Sequence, residues 1–487
     1  MLQLATSHDL PEICALYQAV SAHMQSAGFG QWAWPEYPNE ALLQKDLETG
    51  ALYLLKEDGV ILGAAAINES FDEEYRNIPW LFGVRPGSIH RLAVHPARLQ
   101  QGIARKIMDA GLTLLRERGC DSLRLDTCSD NVPANRLYCS MGMRSAGDIR
   151  LRDIPLPFHC YEMPLSVECP LLPVPMTPAY RFGAATPWGG DKLRKIYGKD
   201  TPDTRTGEAL EVSCLPGLES TSPTGEKLGE MVDQYGQKMA GSYTRQTFPL
   251  LLKLLDAREP LSVQVHPDDT YGKAVEGKLG KTEAWLILDA PPGSQLVYGL
   301  QPGITKEELK AACQQGSAVE SLLRKVDVRP GDVCFIPAGC IHAIGAGIML
   351  YEIQQSSDVT YRFYDYERRD AAGNLRELHI DKALDVADLH FSLDPIHTPD
   401  DQPRCRILDT TYFATEMLRP EQGEVTITLN SDFGILTCTQ GALTLAWGNE
   451  QRSLAAGQTV FLPCSCPRFQ LIGNGVGVLS MPNSSAK

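Results

Sequence analysis

The chain has 487 residues, and its 45 Lys and Arg against 60 Asp and Glu give a net charge of −15. Hydrophobic residues make up 43%, enough to exclude disorder over most of the length, and the acidic balance argues against nucleic acid or an anionic membrane as the main partner. No run of 18 apolar residues marks a membrane span, and the opening MLQLATSHDL has no basic segment leading into an apolar one, so a soluble, cytoplasmic protein of about three domains is expected.

The first ~165 residues alternate helical and strand patterns. Residues 9–24 carry apolar positions at helical spacing, with Ser7 and Asp9 as caps. Residues 51–67 read as a hairpin turning at Asp58-Gly59, and 103–117 as an amphipathic helix ending at Gly119. The stretch 164–187 holds six prolines. Proline fixes φ and removes a donor, so a linker over 166–180 is expected, closing a first domain at 165. Beyond it come short strand-like runs, LSVQVHP, AWLILDA, DVCFIPAG, MLYEIQQ and VTYRFYDY, and later EVTITLN, FGILTCTQGALTLAWG and QTVFLPC. Separated by Gly, Pro and Asp, they predict a β sandwich or barrel over 181–390, interrupted by a helical insert at 303–325. The strands of 391–487 lack ionisable residues at inward positions and predict a second, non-catalytic β domain. The 14 cysteines form no CxxC pair and read as reduced core residues.

Two groups of motifs carry chemistry. In SIHRLAVHPARLQQGIA, residues 88–104, a strand runs through a Gly102 turn into the long helix, where free backbone N–H groups can hold a pyrophosphate. About 35 residues on, NVPANRLYCSMGM presents Asn131 and Tyr138 in a helix-then-turn pattern. In the second half, strand alternation sets Ser262, Gln264 and His266 of LSVQVHPDD on one face. Lys281 and Glu283 share a face in KTEAWLIL, and His342 follows a Pro-Ala-Gly turn 76 residues after His266. Two histidines, a carboxylate and an amide oxygen make a plausible Zn²⁺ set. Arg362, in VTYRFY, shares its face with Thr360 and Tyr364. The histidines His8, His23, His95, His159, His379, His390 and His397 read as surface or hydrogen-bonded residues.

The first segment resembles the GNAT family of acetyl-CoA-dependent N-acetyltransferases over about residues 1–165. The resemblance implies an α/β fold. It assigns the coenzyme A pyrophosphate to the backbone of Gln100, Gln101, Gly102, Ile103 and Ala104. It also implies that Leu92, Ala93 and Val94 offer a backbone N–H to the thioester carbonyl, and that Tyr138 protonates the leaving thiolate. Leu99 departs from the family's usual Arg or Gln. The acceptor is an unidentified amine; Gly28 to Trp32 and Ile78 to Trp80 are candidate acceptor-side segments that serve equally well as apolar packing, and Glu73 and Glu74 are base candidates that also read as solvated surface carboxylates.

QVHPDD, KTE and PAGCIHAI, with TPWGGDKL upstream, resemble the type I mannose-6-phosphate isomerases, zinc enzymes of the cupin fold, over about residues 178–485. The resemblance makes Gln264, His266, Glu283 and His342 ligands of one Zn²⁺ per chain. It makes Arg362 the catalytic arginine and places Lys281 beside the metal. Ser262 and Lys253 fall to the phosphate side and Glu352 is a further active-site carboxylate. Lacking a large helical insertion, the chain is closest to the short bacterial type. The implied reaction interconverts mannose 6-phosphate and fructose 6-phosphate through a cis-enediol, with Glu352 or a metal-bound water carrying the proton. A bifunctional enzyme is thus expected. The competing reading is a sugar-phosphate-binding regulatory cupin with one or both sites silent, against which stands the full set of four ligands plus Arg362.

Overall fold

Turn chemistry and periodicity fix the local structure of the N-terminal part. Asp58 and Gly59 take φ values of 49° and 81°, the paired left-handed conformations of a tight hairpin turn, and so join strands β2 (Leu52–Glu57) and β3 (Val60–Asn68). Helix α1 (Leu10–Ser26) starts behind a one-turn 3₁₀ segment, Ser7–Asp9, where Thr6 and Asp9 form a reciprocal cap; Ser7 is not the cap. The computed structural model of the chain describes residues 2–369, 373–429 and 432–483. It divides into two units, Met1–Leu172 and Pro173–Lys487.

The first unit is one seven-stranded sheet. With β1 (Leu2–Leu4), β4 (Pro86–Val94), β5 (Ser122–Cys128), β6 (Arg144–Ile149) and β7 (Phe158–Pro164), its strand order is β1-β2-β3-β4-β5-β7-β6. Only β4 and β5 run parallel, and their ladder covers just Pro86 with Ser122 and Gly87 with Leu123. Helix α2 spans Glu40–Glu48. Helix α3 (Ile103–Glu117) buries Ile103, Ile107, Met108, Leu112 and Leu115 against Leu62, Ile67, Ile89, Leu123 and Leu125. At roughly 1.5–3 kcal/mol per buried large apolar side chain, this face anchors the unit. On another core, α1 packs Ile13, Leu16, Tyr17 and Val20 with Leu52, Leu54 and Ala64. Helix α4 covers Val132–Ser140.

The proline-rich stretch is not a linker. Leu165, Cys169, Leu171 and Leu172 are buried, and residues 174–176 form β8 (Val174–Met176), paired antiparallel to a strand near the C-terminus. As the outer strand of its sheet, β8 tolerates Pro175 because the missing N–H has no partner to lose.

The second unit opens with two sheets packed face to face. One runs β20-β16-β13-β18-β11-β10-β9 and the other β15-β14-β17-β12-β19. These are β9 (Ala179–Phe182), β10 (Thr206–Val212), β11 (Leu250–Ala257), β12 (Val263–Val265), β13 (Glu283–Asp289), β14 (Gln295–Leu300), β15 (Leu323–Asp327), β16 (Asp332–Ile336), β17 (His342–Ala343), β18 (Ile348–Gln355), β19 (Tyr361–Tyr364) and β20 (Ile396–His397). Trp285, Leu350 and Ile336 of one sheet share a buried cluster with Leu296 and Tyr298 of the other. The expected insert is the helix Lys306–Gln314 followed by the 3₁₀ segment Gly316–Leu322; residues 323–325 already belong to β15. Further helices at Lys192–Tyr197, Leu228–Tyr235 and Ile380–Val386 make this unit less purely β than predicted. In TPWGG, a Cβ on Gly189 would meet the Gly207 nitrogen at 2.6 Å and one on Gly190 would meet Asp256 at 2.4 Å, so this motif serves close backbone packing.

The last strands are β21 (Arg404–Asp409), β22 (Phe413–Leu418), β23 (Val425–Ile427), β24 (Gly434–Gln440), β25 (Ala442–Trp447), β26 (Glu450–Ala455), β27 (Thr459–Leu462), β28 (Phe469–Ile472) and β29 (Val476–Pro482). They form sheets β21-β22-β29-β24-β27-β8 and β23-β28-β25-β26. Residue 430, the end of the run EVTITLN, lies outside the described residues. Two charged groups are buried here against expectation: Glu416, bonded by Arg404 at 2.8 Å and Arg406 at 3.0 Å, and Arg419, which donates to Asp400 at 3.0 Å. All 14 cysteines are free thiols. No described helix is long and apolar enough to cross a membrane.

Candidate functional site

In the second unit the two facing sheets converge on His266, Glu283 and His342. Gln264 on β12 pairs in register with His342 of β17 on one side and Arg362 of β19 on the other. Glu283 opens β13 in the opposite sheet. His266, Glu283 and His342 are all buried, with one ligand atom from each within 4.8 Å of the others. The rings are pre-set. His266 Nδ1 donates to the Val359 carbonyl at 2.8 Å, and His342 Nδ1 to the Cys340 carbonyl at 2.9 Å. Each Nε2 is thereby left with its lone pair toward the centre, the tautomer that metal-binding histidines are held in.

Glu283 lies 3.6 Å from His266 Nε2 and 3.4 Å from His342 Nε2, and neither carboxylate oxygen has a hydrogen-bond donor in good geometry. Lys281 Nζ approaches Glu283 to 2.5 Å and His266 Nε2 to 3.1 Å. Burial, reinforced by Lys281, pushes the His266 imidazole well below its ordinary pKa, and burial takes His342 down to about 3. Both rings are neutral and able to ligate. Two neutral imidazoles, a buried carboxylate and the Gln264 amide, 3.3 Å from His342 Nε2, suit a divalent ion with N and O preferences such as Zn²⁺. Gln264 would ligate through its oxygen, with the amide turned over from the orientation in which Oε1 accepts from Ser262.

Beside this centre opens a cavity of 130 Å³. Its walls include Lys253, Ser262, Gln264, Lys281, Glu352 and Arg362, all singled out from sequence. Glu352 is fixed between Lys253 Nζ at 3.0 Å and the Trp285 indole N–H at 3.1 Å. Burial alone would raise this carboxyl, but Lys253 and then Lys281 outweigh it and hold it low, whereas burial and the Glu352 charge push Glu283 up. Arg362 forms no ion pair among the described residues, and its Nε is buried without a hydrogen-bond partner. A guanidinium so placed, answered only by the Asp365 and Glu377 charges beyond contact distance, suits an anion in the cavity. Tyr364 does not join it: that ring is buried in the neighbouring apolar cluster, and only Thr360 shares the cavity wall.

Sequence reasoning missed Arg181 and Arg376, two further cations of the cavity wall, and Trp188 and Glu208 beside them. Arg181 is on the sheet-edge strand β9 and Arg376 in a loop, so no local period links them to the metal ligands. The one usable signal is TPWGG, which carries Trp188. His379 holds the Arg362 backbone, accepting from its N–H at 3.4 Å and donating to its carbonyl at 2.9 Å.

In the first unit, the divergence of β4 from β5 opens a cleft of 1180 Å³. Leu92, Val94, Gln100, Gly102, Ile103, Ala104, Asn131 and Tyr138 line it; Ala93 and Gln101 do not. Ala93 points into the α1 core instead, as strand alternation requires. Gly102 at φ 73° and Gln100 at φ 61° bend the chain into α3, whose first four N–H groups have no helical acceptor. Asn131 caps α4, its Oδ1 accepting from Ala134 N at 3.3 Å. Its Nδ2 donates to Gln31 at 3.3 Å, so its role here is structural. Tyr138 is buried among apolar side chains, its ring 5.6 Å from Tyr161, and burial raises its pKa. Its hydroxyl has no hydrogen bond among the described residues, so it stays a protonated donor. Of the two base candidates, Glu74 lines the cleft while Glu73 is exposed, 3.4 Å from Arg76. Phe29, Gln31 and Trp32 of the 28–32 segment reach the wall; Ile78 to Trp80 do not. The missed residues are His90, Asp126 and Tyr75: Tyr75 donates to Asp126 at 2.6 Å, and His90 and Asp126 line the cleft.

Comparison with known proteins bears on both units. Residues 16–143 match the model of the acetyltransferase (GNAT) family, and residues 183–284 that of the phosphomannose isomerase type I catalytic domain. The chain is 36% identical over 299 residues to the mannose-6-phosphate isomerase of Streptococcus mutans, covering 59% of this chain and 92% of that one. It is 35% identical over 302 residues to the mannose-6-phosphate isomerase ManA of Bacillus subtilis, covering 60% and 94%. A crystal structure of the mannose 6-phosphate isomerase from Bacillus subtilis superposes with a TM-score of 0.58 at 32% identity, over 63% of this chain and 99% of that one.

Proposed function

We propose that this chain, which belongs to the mannose-6-phosphate isomerase family and carries a GNAT acetyltransferase domain ahead of that region, runs two reactions at two sites. In the second unit it interconverts mannose 6-phosphate and fructose 6-phosphate. Gln264, His266, Glu283 and His342 would hold one Zn²⁺, whose chemistry there is that of a Lewis acid toward a sugar oxygen gaining negative charge. The chain's own residues do the rest. Lys253, Arg362 and Ser262 bind and orient the dianionic sugar phosphate. The Arg362 guanidinium, free of any partner among the described residues, meets the charge that develops as a proton moves between C1 and C2. Lys281 adds a positive charge at the same wall. Glu352, held ionised by Lys253 and Lys281, is a weak base and keeps Lys253 in place.

The observation that carries this reading is the pair of Nδ1-anchored histidines facing a buried carboxylate next to a cation-walled cavity. A fructose 6-phosphate turnover assay with metal analysis on His266→Ala protein tests it. Metal and activity should vanish together; full activity in the metal-free variant would refute the site. In the first unit, acetyl-CoA is the acyl donor, held by the backbone at Gln100 to Ala104, and Tyr138 protonates the departing sulfur. Calorimetry of acetyl-CoA binding tests that half.

A further inference from the structure

Glu74 and the 28–32 segment reach the acceptor side of the cleft, but two partly buried titratable groups there, His90 and Asp126, have no role yet. The β4–β5 ladder ends at Gly87 and Leu123; three residues further along each strand stand His90 and Asp126, both on the wall of the cleft that opens there. Both side chains share the face opposite Ile89 and Leu125, which point into the α3 core. Leu92, where the thioester carbonyl is to be met, lies two residues beyond His90, roughly 7 Å along the strand. Asp126 accepts from the Tyr75 hydroxyl through Oδ1, and its Oδ2 has no hydrogen bond among the described residues. His90 Nε2 lies 2.9 Å from the Ser70 carbonyl, which fixes the proton there and leaves Nδ1 an unpartnered acceptor.

We propose that Asp126, with His90 on the same cleft wall, is the acceptor subsite: its carboxylate receives a primary amine as the ammonium ion and takes the proton that must leave before nitrogen can attack. This rests on the acetyl-transfer reading. Burial raises the Asp126 carboxyl to about 6 and lowers His90 to about 4, which suits a carboxylate that takes a proton near neutrality beside a neutral ring. The step balances. One ammonium proton passes to Asp126 and on to solvent. The nitrogen lone pair forms the C–N bond, the C–S bond breaks with its electrons going to sulfur, and a second nitrogen proton reaches that sulfur through Tyr138. The third stays on the amide.

The surroundings also select the acceptor. Trp32, Tyr37, Phe71 and Phe158 line the cleft, and Asp72 and Glu74 add negative charge. Of the two arginines whose charge reaches Asp126, Arg91 is paired with Asp46 at 2.6 Å, and Arg152 is exposed and lies over the Tyr37 ring at 3.8 Å. A cationic amine with an apolar or aromatic body fits; one bearing a carboxylate beside the amine does not.

Phenethylamine serves as the probe on the full chain, with phenylalanine as its carboxylated counterpart. Thiol release from acetyl-CoA should show at least tenfold higher kcat/KM for phenethylamine. Asp126→Asn should lower kcat about 10²-fold and weaken phenethylamine binding to the CoA-saturated protein at least tenfold by calorimetry. Acetyl-CoA affinity should stay within twofold, which also reports an intact fold. Tyr75→Phe, which releases the carboxylate, should lower kcat about tenfold with the same acetyl-CoA affinity. Normal turnover in Asp126→Asn protein, equal use of phenylalanine, or no transfer to phenethylamine by protein that binds acetyl-CoA would each overturn the proposal alone. Failure to bind acetyl-CoA at all would instead overturn the acetyl-transfer reading beneath it.

Discussion

In the N-terminal unit the reactive space is a gap in a sheet: β4 and β5 pair over two residues and then separate, so the cleft wall offers main-chain N–H groups at the α3 end and, among its side chains, Tyr138, His90 and Asp126. In the C-terminal unit the two sheets stay closed, and the site is made by burying His266, Glu283, His342, Lys253 and Glu352 between them. An open site that holds its donor by main-chain N–H groups depends little on any one side chain for binding, though its chemistry still needs the few side chains that act. A packed ionic site depends on each of its members, because removing one leaves a buried charge or lone pair unanswered. The two regions should therefore respond to substitution on different scales.

The largest effect belongs to the packed site. His266→Ala should abolish metal binding and lower isomerase turnover about a thousandfold or more, since a Lewis acid contributes several kcal/mol; acetyl-CoA affinity, read by calorimetry, should not change. Arg362→Ala should lower kcat about 10²-fold or more with metal content and Tm nearly unchanged, and Arg362→Lys should rescue poorly because a point charge does not reproduce the planar fork. Unfolding of that variant, or normal turnover, would place Arg362 in the fold rather than the reaction. In the cleft, Tyr138→Phe should reduce acetyl transfer about 10²-fold, the lower end of general-acid contributions, while acetyl-CoA affinity holds. The smallest effect should come from Gly102→Ala. A Cβ there meets nothing within 4 Å, so only the φ of 73° is strained, by about 1 kcal/mol. Acetyl-CoA affinity should then fall tenfold or less, with isomerase activity untouched.

What the sequence discloses follows the same division. Helix α3 and the Asp58-Gly59 hairpin are legible because periodicity and turn residues are local. Gln264, His266 and Glu283 are legible because strand alternation sorts them by face. Arg181 and Arg376 are not, because the cavity gathers them from an edge strand and a loop through sheet packing. His90 and Asp126 are hidden differently: each is one of several polar residues on its strand, and only the opening between β4 and β5 shows that both face one cleft. The prolines around Pro175 mislead because an edge strand and a linker tolerate proline for the same reason, a backbone nitrogen with nothing to bond.

The central claim is that His266, Glu283 and His342 form a metal centre on which the isomerase depends, independent of the acetyl-CoA cleft. Metal analysis of the whole chain before and after chelation, with mannose 6-phosphate turnover and acetyl-CoA affinity measured on the same samples, tests it most directly. About one Zn²⁺ per chain should be found. Turnover should disappear with the metal and return with added Zn²⁺, while acetyl-CoA affinity stays constant throughout. Undiminished turnover of mannose 6-phosphate by the metal-free chain would contradict the account.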